Sequence, residues 1–245
     1  MRIQDFQKRL EEGFGKFLKQ MDQEETLLAE KGKERLWFKL YKTRGDKKFP
    51  LKKVTFMFLE NGWVWNKDDK TLLDEDELIV VSFIPVDNIP LPILAVEASL
   101  HIGKYDHLNI DIFPLSKDKR YREIFCEPVK ALRRKNDGLP GLLPGVRTPS
   151  LLDEYTSGGM MAGDFTVPQR DKTIPWFFEY ADLYKGFLEN PEKYSVLKEP
   201  PIIEEGKKIK DMFLSNFRKA SPRILSDIPH LYSEDLGRKL GELLF

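Results

Sequence analysis

The chain has one cysteine, Cys126, in 245 residues. That excludes an internal disulfide and any multi-cysteine metal or iron–sulfur site, and it suits a reducing compartment. Cys126 falls in a helical pattern, where a packed core thiol is expected rather than a nucleophile. Histidine is nearly as scarce, with only His101, His107 and His230. No paired-histidine motif is present, and a three-histidine zinc site would need all three to converge. His107, near a hairpin turn, and His230, in a proline-flanked helix break, read as surface or capping residues. Neither sign of charge dominates, because 40 basic residues balance 40 acidic ones. Global charge therefore gives no argument for nucleic acid or a membrane surface. No apolar run approaches bilayer length, and the charged amphipathic N-terminus lacks a signal-type apolar block, so the expected location is the cytoplasm or an organelle stroma. Gly158-Gly159 and the glycines between 138 and 145 lack the lysine or the strand-to-helix setting of a phosphate-binding loop. No internal repeat is visible.

What the chain does have is enough apolar and aromatic content, 41% and 12%, to bury a substantial core. A single domain over 1–245 is expected. Residues 136–149, rich in glycine and proline, read as a long loop inside it. Ile3, Phe6, Leu10, Phe14, Phe17, Leu18 and Met21 recur at helical spacing, which predicts an amphipathic helix over 2–30 covering a sheet. Short aromatic and β-branched runs follow at 36–41, 54–59 and 62–65, the opening strands of an antiparallel meander. Helical spacing returns at 118–135. A last strand is expected near 160–167, then helices at about 174–189, 203–219 and 233–244. Strands in the middle with helices at both ends predict an α+β fold, a central antiparallel β-sheet sandwiched between helices.

Residues 90–113 carry the strongest pattern. Val96, Ala98, Leu100 and Ile102 alternate onto one face, matched on the return strand by Leu108, Ile110 and Ile112. The other face holds Glu97, Ser99, His101, Asn109 and Asp111. With Ile102 opposite Leu108, Ser99 would lie across from Asp111 and His101 across from Asn109, a group able to move protons. Polar residues on such a face also serve solubility alone, but the preceding run Leu78–Ile84 does not alternate and predicts a strand covered on both sides. A neighbouring strand of that kind would roof the polar face.

Several strings then resemble the ferredoxin-dependent bilin reductase superfamily, which includes red chlorophyll catabolite reductase. They are VVSFIP, VDNIP and LPILAVEAS with Glu97 at the family's central acidic position, then LNIDIFPL with Asp111. FLSNFRKASPRIL and the closing LGELLF are similar to the family's terminal helices. The resemblance covers roughly residues 78–245. Departures accompany it: where the family commonly has a histidine in the strand Leu78–Ile84 and a glutamate in the strand before, this chain has Val80 and Met57. An Asn-Asp pair common in the penultimate helix is replaced by Arg218-Lys219.

The resemblance implies an oxidoreductase that holds a linear tetrapyrrole between sheet and C-terminal helices. No metal or flavin is bound, and electrons arrive singly from reduced ferredoxin. It implies Glu97 as proton donor, kept protonated by an enclosed apolar surround. His101 would relay a proton and Asp111 would steady a cationic intermediate, making Glu97, His101 and Asp111 the catalytic candidates. Ser99, Asn109, Arg218 and Arg223 are the expected substrate-binding residues, the arginines for propionates. Basic clusters at 117–135 and 207–223 would steer an acidic ferredoxin. Trp63, Trp65, Trp176 and Phe177 would suit a flat conjugated ligand, although aromatic packing in the core is the commoner role. The expected partners are ferredoxin and a tetrapyrrole, the expected state a monomer. The alternative is a carrier or chaperone that keeps the fold and pocket without the chemistry.

Overall fold

Ile3, Phe6 and Leu10 share one side of a helix, and that side is buried. This is α1 (Ile3–Gly13), the first element of a computed structural model that describes residues 2–31, 34–43, 49–65, 72–101, 105–136, 154–220 and 233–244. Its free first amide, on Ile3, donates to Glu77, a buried carboxylate that also pairs with Arg2 and docks the helix on the sheet. The helical pattern stops sooner than its spacing predicts. After a short turn of helix, α2 (Gly15–Leu18), the chain enters β1 (Met21–Lys31), which pairs with β2 (Glu34–Thr43). A helix over 2–30 is thus corrected at its second half. Local propensity there is overruled by pairing to β2, and the charges of Asp22, Glu24 and Glu25 guard an exposed edge against further strands.

The sheet continues through β3 (Leu51–Trp65), β4 (Leu72–Pro85), β5 (Ile93–His101), β6 (Tyr105–Phe113) and β7 (Met161–Thr166). All pairs are antiparallel and the spatial order is the chain order, a seven-stranded meander. The two runs at 54–59 and 62–65 are one strand with a register irregularity between Leu59 and Gly62. Leu78–Ile84 is buried on both faces, as its unbroken apolar pattern requires.

One face carries Phe56, Phe58, Ile79, Val81, Phe83, Ala98, Leu108 and Ile110. It is covered by α1 and by α5 (Arg170–Glu189), whose Phe177 meets Phe6 at 4.7 Å. Trp176 and Phe177 belong to this core, so they do not line the polar face. The expected helix at 118–135 is two: α3 (Lys119–Phe125), capped by Asp118 through the Tyr121 amide, and α4 (Glu127–Lys135). The joint is Cys126, followed by a proline in the first turn of α4. Burial pushes the Cys126 thiol up to about 11, which suits packing and not nucleophilic attack.

The opposite face lies under α6 (Pro200–Ala220) and α7 (Glu234–Leu244). Over β2 to β4 it is apolar, and Leu240 of α7 is buried against Leu36, Phe38, Met57 and Val80. Lys53 donates to the Leu243 carbonyl at 3.0 Å, tying the end of α7 to β3. Helices on both faces of one antiparallel sheet make the α+β sandwich that the sequence predicts.

Candidate functional site

The hairpin register differs from the one the sequence suggested. Ser99 faces His107, not Asp111; Glu97 faces Asn109; His101 faces Tyr105. The observed pairing is centred on position 103, whereas Ile102 opposite Leu108 would have centred it on 105. From Asp111 to His107 is an even number of positions, and an even slip changes partners without changing faces. Glu97, Ser99, Asn109 and Asp111 therefore still share one face, the one under the C-terminal helices.

Three cross-strand rows describe that face. The middle row runs Phe38, Met57, Val80, Glu97, Asn109, Ala162. It brings Met57, Val80 and Glu97 side by side on consecutive strands. Here only Glu97 of those three can ionise. Glu97 is half-buried beside buried Val80, with half-buried Asn109 on its other side.

The row nearer the hairpin loop runs Leu36, Leu59, Leu78, Ser99, His107, Asp164. Ser99 is fully buried. The His107 Nδ1 and an Asp164 oxygen lie 2.7 Å apart, with 20% of the imidazole and 35% of the carboxylate side chain accessible. His107 is thus part of the polar face and paired to a carboxylate, where the sequence reading made it a surface or capping residue. The signal was available: His107, Asn109 and Asp111 follow the same two-residue period. His101 ends β5, with its side chain outside the described ones.

On the other side the row runs Leu40, Thr55, Ser82, Ala95, Asp111, and Thr55 and Ser82 share a 2.6 Å hydrogen bond. Asp111 is fully buried and fully engaged. Its oxygens accept from the Ser157 hydroxyl, from the Ser157 amide at 3.0 Å and from the Ile112 amide at 2.8 Å. Burial raises its carboxyl from the ordinary 3.8 to about 6, against the Ser157 and Ile112 hydrogen bonds and the charge of Arg122. Just before β7 the chain at 154–160 closes over this end of β6 through Ser157. Gly158 there has φ +81°, and a Cβ at Gly159 would stand 2.6 Å from the α4 backbone. Asp111 is the anchor of that segment.

The basic clusters are laced with carboxylates. Arg120 makes a two-pronged pair with Glu199, Lys117 pairs with Glu154, Lys130 with Glu127 and Lys135 with Glu179. Arg133 stacks over Trp176 at 5.3 Å, and buried Lys210 pairs with Asp87. Arg218 is in the last turn of α6 with its side chain outside the described ones, and Arg223, His230 and the 138–145 glycines lie outside the described residues. Trp63 and Trp65 are in β3, with side chains likewise undescribed. A cleft of about 580 Å³ opens at the β4–β5 loop, lined by Asn88, Ile89, Pro191, Leu197 and Ile203 among others, and no polar-face residue lines it. No helix among the described residues is long and apolar enough to cross a membrane.

Neither a family model nor a curated protein sequence matches this chain. A solved structure does. The crystal structure of phytochromobilin synthase from tomato, in complex with biliverdin, superposes with a TM-score of 0.71, over 96% of this chain and 80% of that one. The fold is the bilin reductase fold. At 14% identity the likeness is one of architecture, and it agrees with the local strings around Glu97 that first suggested it. In the bilin reductase fold as this chain builds it, the polar half of the C-terminal face spans β5 to β7, with Glu97 in its middle row.

Proposed function

We propose that the protein binds a linear tetrapyrrole against the polar half of the sheet and reduces it with electrons from ferredoxin. Glu97 is the proton donor. The observation that carries this reading is the position of Glu97: a half-buried carboxyl at mid-sheet, on the face under the C-terminal helices, in a fold shared with a protein that was crystallised with biliverdin. Adding two electrons to a conjugated double bond requires two protons, and ferredoxin supplies none. A flat ligand lying on this face brings its conjugated bonds within reach of the Glu97 carboxyl, the geometry that proton transfer requires. Asn109, directly across from Glu97, offers an amide to hold a lactam, and buried Ser99 a hydroxyl. Arg218 and Arg223 take the propionates. No cofactor is held between turnovers. Asp111 acts by holding the 154–160 segment over the end of β6.

A second reading, a tetrapyrrole carrier, is favoured by the apolar Met57 and Val80 in the row of Glu97. The two are separated by titrating the purified protein with biliverdin and then adding reduced ferredoxin without oxygen. The reductase reading expects a shift of the visible spectrum on binding and its bleaching or further shift on reduction. Binding without turnover leaves the carrier, and an unchanged spectrum at saturating biliverdin removes both. Glu97→Gln is expected to bind within about twofold of the native protein while turnover falls about 100-fold or more. Undiminished turnover would take Glu97 out of the mechanism.

A further inference from the structure

Glu97 is the single titratable group in its row, yet reducing one double bond consumes two protons. The second must come from a neighbouring row. Asp111 lies on one side, but both of its oxygens are already occupied by Ser157 and Ile112. On the other side is His107. It is diagonal to Glu97 across β5 and β6, since Glu97 faces Asn109 and His107 is two residues before it. Such diagonal positions are roughly 7–8 Å apart, a distance that one pyrrole ring spans. Asp164 holds Nδ1 at 2.7 Å from the adjacent strand, so ring orientation and tautomer are set before a ligand arrives. Nε2, for which no hydrogen-bond partner is found among the described residues, is left to the ligand.

We infer that His107, oriented by Asp164, is the second proton donor of this face. The inference rests on the reductase reading. One electron from reduced ferredoxin and the Glu97 proton give a neutral tetrapyrrole radical and the Glu97 carboxylate. A second electron and the Nε2 proton of the His107 imidazolium complete the new C–H or N–H bond. The ring is left neutral with Nδ1–H on Asp164, and both donors are reprotonated from solvent. Asp164 is a positioning residue; it touches His107 and not the substrate.

The test uses the full chain with biliverdin and reduced ferredoxin. His107→Gln is expected to bind biliverdin within about twofold of the native protein and to lose about 100-fold or more in kcat with KM little changed. Electron paramagnetic resonance should then show a long-lived bilin radical, a signal that a purely structural defect would not produce. Asp164→Asn should lower kcat about tenfold with unchanged binding. Native protein that turns over beside a His107→Gln protein of equal kcat and no persistent radical overturns the inference and leaves the reductase reading standing. Should His107→Gln fail to fold, Asp164→Asn decides, and an unchanged kcat there is equally fatal. Native protein without turnover brings down the reductase reading, and this inference with it.

Discussion

At the scale of single residues, Asp111 has the clearest measurable consequence. Its carboxyl sits at about 6 in the folded chain, against 3.8 when exposed. Below pH 4 it is protonated whether the chain is folded or not, and ionisation costs nothing. Between about pH 4 and 6 the unfolded chain releases this proton while the folded chain keeps it, so stability falls as pH rises; above 6 the loss is complete. About two units correspond to roughly 3 kcal/mol at most. Comparing urea midpoints of the native protein and Asp111→Asn at pH 4, 5, 6 and 7 should show the advantage of the native protein shrinking as pH rises through that window. A constant difference would mean that the carboxyl is not titrating there. Which residues share the polar face was legible from the two-residue period alone, and it holds for Glu97, Ser99, Asn109 and Asp111. Who faces whom was not, because pairing depends on the length of the hairpin loop, which the residues around Gly103 leave open. The same uncertainty hid His107, whose nearness to the turn looked like exposure.

Among elements, α6 shows how a close approach reverses an intrinsic preference. Glycine inside a helix is ordinarily about 1 kcal/mol worse than alanine. At Gly206, however, a Cβ would stand 2.6 Å from the Cβ of Pro90, in the β4–β5 loop. Gly206→Ala is therefore expected to destabilise by about 1–3 kcal/mol, because α6 must lift from the sheet. Gly186 in α5 has open space at the same point. Gly186→Ala should instead stabilise by about 0.5–1 kcal/mol, and thermal unfolding followed by circular dichroism compares the pair in one experiment. Helices α5, α6 and α7 were readable from apolar spacing because each lays a face on the sheet. The segment 21–31 misled for a physical reason. Its run of acidic residues, leucines and alanine favours a helix locally, and only the hydrogen-bonding edge of β2 makes it a strand.

For the molecule as a whole, chain ends meet at the middle of the sheet: α1 through Glu77 of β4 on one face, α7 through Leu240 on the other. Leu240 is fully buried among Leu36, Phe38 and Met57, which belong to β2 and β3. Leu240→Ala should cost about 2–5 kcal/mol. Tryptophan fluorescence and far-ultraviolet circular dichroism are expected to shift to lower urea together, as they must if 1–245 unfolds as one unit; separate midpoints would divide the chain into independent parts. The sequence by itself determined the alternation that makes one face of the hairpin polar, the doubly buried β4, and the terminal helices, because each is a periodicity written into neighbouring residues. Only the tertiary structure decided that β1 is a strand, that Met57, Val80 and Glu97 form one row, and that His107 meets Asp164. Those are contacts between segments distant along the chain, and their geometry follows from loop closure and sheet register, which no local pattern encodes.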